Sequence, residues 1–233
     1  MGKDVIIALD FQDSAKLHTF LDKFEGRRKP YVKVGMELFY SQGRAIVDEL
    51  KQKGYKIFLD LKLHDIPNTV KQTMKVLSSM QVDMVNLHAA GTKEMMKAAL
   101  QGLIRPDGTR PLLLAVTQLT STSEERMREE LLIDHTIEET VGHYAKNAYD
   151  AGLDGVVCSA REVDIVKKAT EKTFLTVTPG IRFNESTKGD QVRVMTPKKA
   201  KEIGSDYIVV GRPITKADDP VCAYEKCVRE FID

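Results

Sequence analysis

Eight short apolar runs, each followed by a helical stretch, set the tightest limit on what this chain can fold into. They are VIIALD (5–10), YVKVGM (31–36), KIFLDL (56–61), MVNLHA (84–89), LLLAVT (112–117), GVVCSA (155–160), FLTVTPG (174–180) and YIVVGR (207–212). Near-continuous apolar strands are what a parallel sheet covered on both faces requires. Segments such as AKLHTFLDKF, GRAIVDELKQKG and TVKQTMKVLSSM lie between them with helical periodicity. Strict alternation of strand and helix marks βαβ units. Eight such units in 233 residues predict an α/β fold, a compact (β/α)8 TIM barrel, as one domain over 1–233. A doubly wound open sheet shares the alternation. Against it, the turn after the first run reads DFQDS, without the glycine-rich fingerprint of a dinucleotide site.

Charge and composition narrow the partners. Lysine and arginine total 35 against 34 acidic residues, a net charge of +1. Such a chain has no general field for a polyanion, so nucleic acid is not an expected partner and any anion must be held locally. The longest apolar run, near LLLAV (112–116), is far too short to span a membrane, so no membrane partner is expected. MGKDVIIALD has neither the length nor the flanks of a signal peptide. Cys158, Cys222 and Cys227 form no CxxC pair and read as reduced packing thiols, which fits a cytoplasmic protein.

Polar residues gather where the strands finish: Asp10, Lys33, Asp60, Lys62, Asp65, His88, Thr120, Arg182 and Arg212. In a (β/α)8 barrel that rim carries the chemistry. Within FLDLKLHDIPNTV (58–70), Asp60 and Lys62 stand two apart on a strand and so share a face. Leu59 and Leu61 then point outward to the helices. Lys33 sits between Val32 and Val34 on the preceding strand. Two adjacent strands thus aim Lys33, Asp60 and Lys62 into one small space, which is costly unless the charges pair or work. A structural ion-pair cluster is the plain alternative. Asp65 follows just beyond, with Pro67 suited to open the next helix.

Two further features point to an anion. VVGRPIT (209–215) reads as a strand, a Gly211-Arg212 turn and a helix start, where a backbone N–H and a guanidinium fork suit phosphate. TPGIRFNESTKGDQVRVMTP (178–197) is much longer than an ordinary βα loop and suggests a lid, with Arg182 and Gln191 at its two ends. A plain turn and a plain surface loop are the alternatives.

These residues resemble the orotidine 5′-phosphate decarboxylase family, in its free-standing bacterial form. The family's D-x-K-x-x-D-I-x-x-T motif stands here as Asp60, Lys62, Asp65, Ile66 and Thr69; Asp10, Lys33, TPGIR (178–182) and VVGR (209–212) match in order. The resemblance covers almost the whole chain. It implies conversion of orotidine 5′-monophosphate (OMP) to UMP and carbon dioxide, the last step of de novo pyrimidine synthesis, with no metal or organic cofactor. It assigns Lys62, Asp60, Asp65 and Lys33 to catalysis. Asp60 would oppose the substrate carboxylate, and Lys62 would stabilise and protonate the C6 carbanion. Lys33 would hold Asp60 and reach a ribose hydroxyl. Asp65, Ile66 and Thr69 would come from the second subunit of a homodimer with shared sites. Asp10 suits a ribose hydroxyl, Thr120 the pyrimidine edge, and Arg182, Gln191, Gly211 and Arg212 the phosphate.

Competing readings are a magnesium-dependent sugar-phosphate synthase or decarboxylase on the same barrel, a Schiff-base aldolase, and a nucleotide-binding barrel without chemistry. The lysines around His64 argue against a metal there. His88 reads as a supporting donor, and His18, His135 and His143 as solvated residues.

Overall fold

The computed structural model describes residues 3–183 and 195–233. Strands β1 (Asp4–Ala8), β2 (Tyr31–Gly35), β3 (Ile57–Leu63), β4 (Met84–His88), β5 (Leu112–Val116), β6 (Gly155–Val157), β7 (Leu175–Thr178) and β8 (Tyr207–Val210) close in chain order into a barrel. Every neighbouring pair is parallel, including β8 back onto β1. The expected (β/α)8 barrel is the fold.

Its helices follow the local signals. Asp13 caps the helix Ser14–Asp22 by accepting from the Ala15 N–H at 2.8 Å. Pro67 opens the helix Pro67–Ser79, where its missing N–H costs nothing. The long β5–β6 interval holds two helices, Glu124–Glu129 and Ile137–Asp150, while the short β6–β7 interval holds a 3₁₀ turn and the helix Val163–Ala169. An added helix, Met36–Gln42, follows β2 directly.

Side chains alternate along each strand. Val32, Val34, Leu59, Val85 and Leu87 face outward and join the large core beneath the helices. Inside the barrel Ile6, Tyr31, Phe58, Met84, Leu114, Leu175, Val177, Tyr207 and Val209 form a second apolar cluster. On β2, β3 and β4 the inward positions change character toward the carboxyl end: Tyr31 then Lys33, Phe58 then Asp60, Met84 then Asn86. The apolar layer is the floor, and the polar residues stand on it.

The opposite, amino-terminal face repeats one stabilising device three times. Asp83, just before β4, accepts from the Ile57 N–H that opens β3 and from Lys51, both at 2.8 Å. Asp154, just before β6, accepts from the Leu113 N–H of β5 at 2.7 Å and from Arg110 Nη2 at 2.9 Å. Asp206, just before β8, accepts from the Thr176 N–H and from Lys167, both at 2.8 Å. Each carboxylate satisfies an N–H within the first two residues of a strand. Asp206→Ala is expected to cost about 2 kcal/mol, because the fully buried Thr176 loses its N–H partner. Calorimetry should register a fall in Tm of roughly 4–8 °C. Catalytic constants on the far face should not change; a large fall in kcat would contradict a purely structural role.

Three expectations need correction. The strand read as 56–61 runs on to Leu63, through an irregularity described below. Cys222 is exposed, so packing accounts only for the buried Cys158 and Cys227. His18 is not simply solvated: its Nε2 lies 2.9 Å from Glu49 Oε1.

Candidate active site

Asp60 is the hub of the carboxyl-end cluster. Its Oδ1 accepts from Lys62 Nζ at 2.7 Å and from Asn86 Nδ2 at 2.7 Å, and its Oδ2 lies 3.3 Å from Lys33 Nζ. Lys33 Nζ also reaches Asp10 Oδ1 at 3.3 Å. The side chains of Lys33 and Asp60 are only 12% and 11% exposed, so these charges meet largely out of water. A Cβ on Gly35 would stand 2.8 Å from Lys33 Nζ; the glycine leaves the space this ammonium occupies.

Burial alone would push the Asp60 carboxyl up, but Lys33 and Lys62, with hydrogen bonds from Lys62 and Asn86, outweigh it and hold it below its ordinary value of 3.8. Burial would likewise lower Lys33; Asp60 and Asp10 overcome it and hold the ammonium above its ordinary 10.5. Both groups are therefore charged across the neutral range. His88, pressed against His64 with ring centroids 5.7 Å apart, has its pKa lowered first by burial and then by the charges of His64 and Lys62.

Asp60 and Lys62 do not meet as regular strand neighbours. Leu59 pairs with Val85 and Leu63 with Leu87, so β3 spends four residues where β4 spends two. The extra length forms a bulge in which Lys62 takes a left-handed φ of 52°. Its N–H turns to Asn86 Oδ1 at 2.8 Å. Leu61 still faces the helices, as expected.

A cavity of about 200 Å³ opens over this cluster. Lys33, Asp60 and Lys62 line one side, and Thr120, Val116, Val157, Pro179 and Val209 are among the residues on the others. Charge is concentrated on one wall and the others are mostly apolar, with Gln118 and Thr120 among them, which suits a small ligand carrying a charged group. A wider cleft of about 540 Å³ lies at the amino-terminal face, where most charged groups have partners: Lys51 pairs with Asp83, Arg110 with Asp154, Asp4 with Arg28, and Arg105 donates to backbone carbonyls.

The remaining expected residues fall around this mouth. Arg182 follows β7 and is buried, donating to the Ile181 carbonyl at 2.8 Å; Gly211 and the exposed Arg212 follow β8, the neighbouring strand. Gln191 lies outside the described residues. Among the described residues on either side of it, Ile181 bridges Met195 and the Arg182 N–H donates to the Met195 carbonyl at 2.9 Å. Asp65, Ile66 and Thr69 are exposed, and Asp65 Oδ1 accepts from the Ile66 N–H at 2.7 Å rather than from Lys62. Within one chain they stand clear of the cluster. Among the described residues no three His, Cys, Asp or Glu side chains gather as metal ligands, and no helix is long and apolar enough to cross a membrane. Asn86 is the site contact that the sequence reading passed over. Its signal was an amide two residues before His88, on the inward face of an apolar strand.

A model of the orotidine 5′-phosphate decarboxylase / HUMPS family matches residues 3–227. The orotidine 5′-phosphate decarboxylase of Bacillus cytotoxicus is 58% identical, over 99% of this chain and 98% of its own. That of Streptococcus thermophilus is 57% identical, over 98% and 97%. The crystal structure of orotidine 5′-phosphate decarboxylase from Lactobacillus acidophilus superposes with a TM-score of 0.89 at 44% identity, over 99% of this chain and all of the other. With fold, motif order and full-length similarity in agreement, the chain belongs to the orotidine 5′-phosphate decarboxylase / HUMPS family, on the side of its free-standing bacterial decarboxylases.

Proposed function

We propose that the chain decarboxylates OMP to UMP, without metal or organic cofactor, as the last step of de novo pyrimidine synthesis. The observation that carries the reading is the Asp60 carboxylate, held between Lys33 and Lys62 at the wall of the cavity at the carboxyl end of the barrel. A substrate carboxylate at pyrimidine C6 would meet Asp60 as a like charge, unfavourable in the ground state. Breaking the bond from C6 to the carboxylate carbon releases carbon dioxide and leaves the electron pair on C6. The Lys62 ammonium stabilises that developing charge and then gives C6 its proton. Preformed charge needs no reorganisation during the reaction, which is why holding Lys62 on Asp60 matters.

The remaining roles follow the rim. Lys33 keeps Asp60 placed and, with Asp10, takes the ribose hydroxyls. Thr120 meets the pyrimidine edge. Arg182, Gln191, Gly211 and Arg212 take the phosphate, whose binding energy can favour the transition state. Arg212→Ala is expected to weaken UMP by roughly 1.5–3 kcal/mol, the value of a hydrogen bond to a charged group. Uridine should bind as before; calorimetric titration of both separates the cases, and equal weakening would contradict a phosphate role.

Asp65, Ile66 and Thr69 are proposed to act in the site of a second copy, giving a homodimer. In support, large exposed apolar side chains lie in the segments that follow three strands: Met36 and Tyr40 after β2, Ile66 after β3, and Leu119, Leu131 and Leu132 after β5. A second copy would cover apolar surface exposed at the carboxyl end of the barrel.

The direct test is the ultraviolet absorbance of OMP incubated with purified protein in excess EDTA. A shift to the spectrum of UMP is expected. Turnover only after magnesium is restored would favour the sugar-phosphate enzymes instead, and UMP binding without turnover a barrel that binds nucleotide alone.

A further inference from the structure

We infer that Asn86 is a positioning residue for the reaction: its side-chain amide fixes the Asp60 carboxylate relative to the backbone of Lys62. The inference rests on the function proposed above. Asn86 is 1% exposed, in the middle of β4, and makes two bonds at once. Nδ2 donates to Asp60 Oδ1 at 2.7 Å, and Oδ1 accepts from the Lys62 N–H at 2.8 Å. The orientation of the amide is not open to choice, because a carboxylate only accepts and a backbone N–H only donates.

The need for such a residue comes from the bulge. In a regular ladder the Lys62 N–H would find a carbonyl on β4, and its backbone would stay extended. Here β3 has two extra residues between its pairings with Val85 and Leu87, and Lys62 takes a φ of 52°, a region a lysine rarely enters. The Lys62 N–H is thus left without a ladder partner, and Asn86 Oδ1 supplies one. The same amide then ties the other arm of the turn through Asp60. One planar group therefore spans residues 60 and 62 and sets how far the carboxylate lies from the start of the lysine side chain. Lys62 Nζ closes the ring on Asp60 Oδ1 at 2.7 Å. No other standard side chain of that length offers a donor and an acceptor side by side without having to bind a proton first.

Asn86→Ala is expected to lower kcat by about 10- to 100-fold, the scale of a small misplacement of reacting groups, while KM and the Kd of UMP change less than about threefold. Asn86→Asp supplies the sharper readout. When protonated it can donate to Asp60 and accept from the Lys62 N–H, as the amide does; ionised, it faces Asp60 as a like charge. The charged groups around position 86 are Asp60 and Lys62 on β3, Lys33 on β2, and His88 on β4 with His64 beside it; the β5 neighbours Leu114 and Val116 are apolar. Its kcat should therefore fall with rising pH through an ionisation that the unsubstituted protein lacks. A residue that only filled space would shift Tm and leave the profile unchanged. A pH profile of Asn86→Asp that superposes on the unsubstituted one, or an Asn86→Ala kcat within twofold, would overturn the inference.

A second measurement does not depend on turnover. In the free protein, the carbon-13 titration of the Asp60 carboxyl should move upward in Asn86→Ala, and an unmoved titration would count against the inference on its own. Failure of the unsubstituted protein to convert OMP would instead remove the proposed reaction, so the two failures are distinguishable. Should Asn86→Ala not fold, Asn86→Asp alone decides the point.

Discussion

Lys62→Ala is expected to lose turnover of OMP by on the order of 10⁴-fold or more, while UMP still binds. The size follows from two roles in one group. In the proposed mechanism the ammonium would offset charge as it develops on C6 and would then deliver the proton, so its removal would take away both. The fold should survive. Lys62 is a rim residue with a quarter of its side chain exposed, and Asp60 keeps Lys33 and Asn86 as partners. The Asp60 carboxyl should move up from its depressed value, because one of the two cations holding it down is gone. UMP carries no carboxylate at C6, so neither Lys62 nor Asp60 is essential to its binding. Single-turnover absorbance and calorimetric titration with UMP separate the two properties. Turnover within about tenfold of the unsubstituted protein would remove Lys62 as the proton donor. Loss of UMP binding alongside turnover would place the lysine in ligand affinity instead.

How the residues reach this site explains what the sequence could and could not say. The barrel was legible because a parallel sheet buried on both faces writes itself as apolar runs, and each run matches a strand. Lys33 and Asp60 were legible for the same reason in reverse: a charge between valines or leucines on a buried strand must be matched by something. The meeting of Asp60 and Lys62 was foreseen, but by the wrong route. Two residues apart on a regular strand share a face, whereas here a bulge turns the Lys62 backbone left-handed. A bulge of this kind depends on which β4 residue lies opposite, and pairing register is not written locally. Asn86 was missed for that reason: an amide in an apolar strand has meaning only once the N–H it satisfies is known. The amino-terminal aspartates tell the same story. Asp83, Asp154 and Asp206 look like ordinary turn residues until each is seen to cap the preceding strand.

Mixing Lys62→Ala with Asp65→Ala chains is expected to restore activity to about one quarter of the unsubstituted protein. The value comes from the symmetry of the proposed dimer. In each dimer one site takes Lys62 from one chain and Asp65 from the other. A hybrid therefore has one site with both substitutions and one with neither. Random exchange makes about half the dimers hybrids, each with one intact site of two. The geometry gives the reason to expect sharing. Within a single chain Asp65 is exposed and bonds the adjacent Ile66 N–H, although Lys62 lies only three residues away. In the proposed dimer this outward-facing carboxylate, beside the 66%-exposed Ile66, would enter the neighbour's cavity rather than its own. In that arrangement the second Asp flanks Lys62 from across the interface, and the alternating Lys33, Asp60, Lys62, Asp65 array becomes continuous only in the dimer. Each variant alone should be inactive, and activity should rise only as subunits exchange, at the rate followed by mass-tagged chains. Full exchange with no recovery would mean that Lys62 and Asp65 serve the same chain, and the exposed apolar surface would then need another occupant. Recovery near a quarter has no counterpart in a monomer, where two defective chains remain two defective chains.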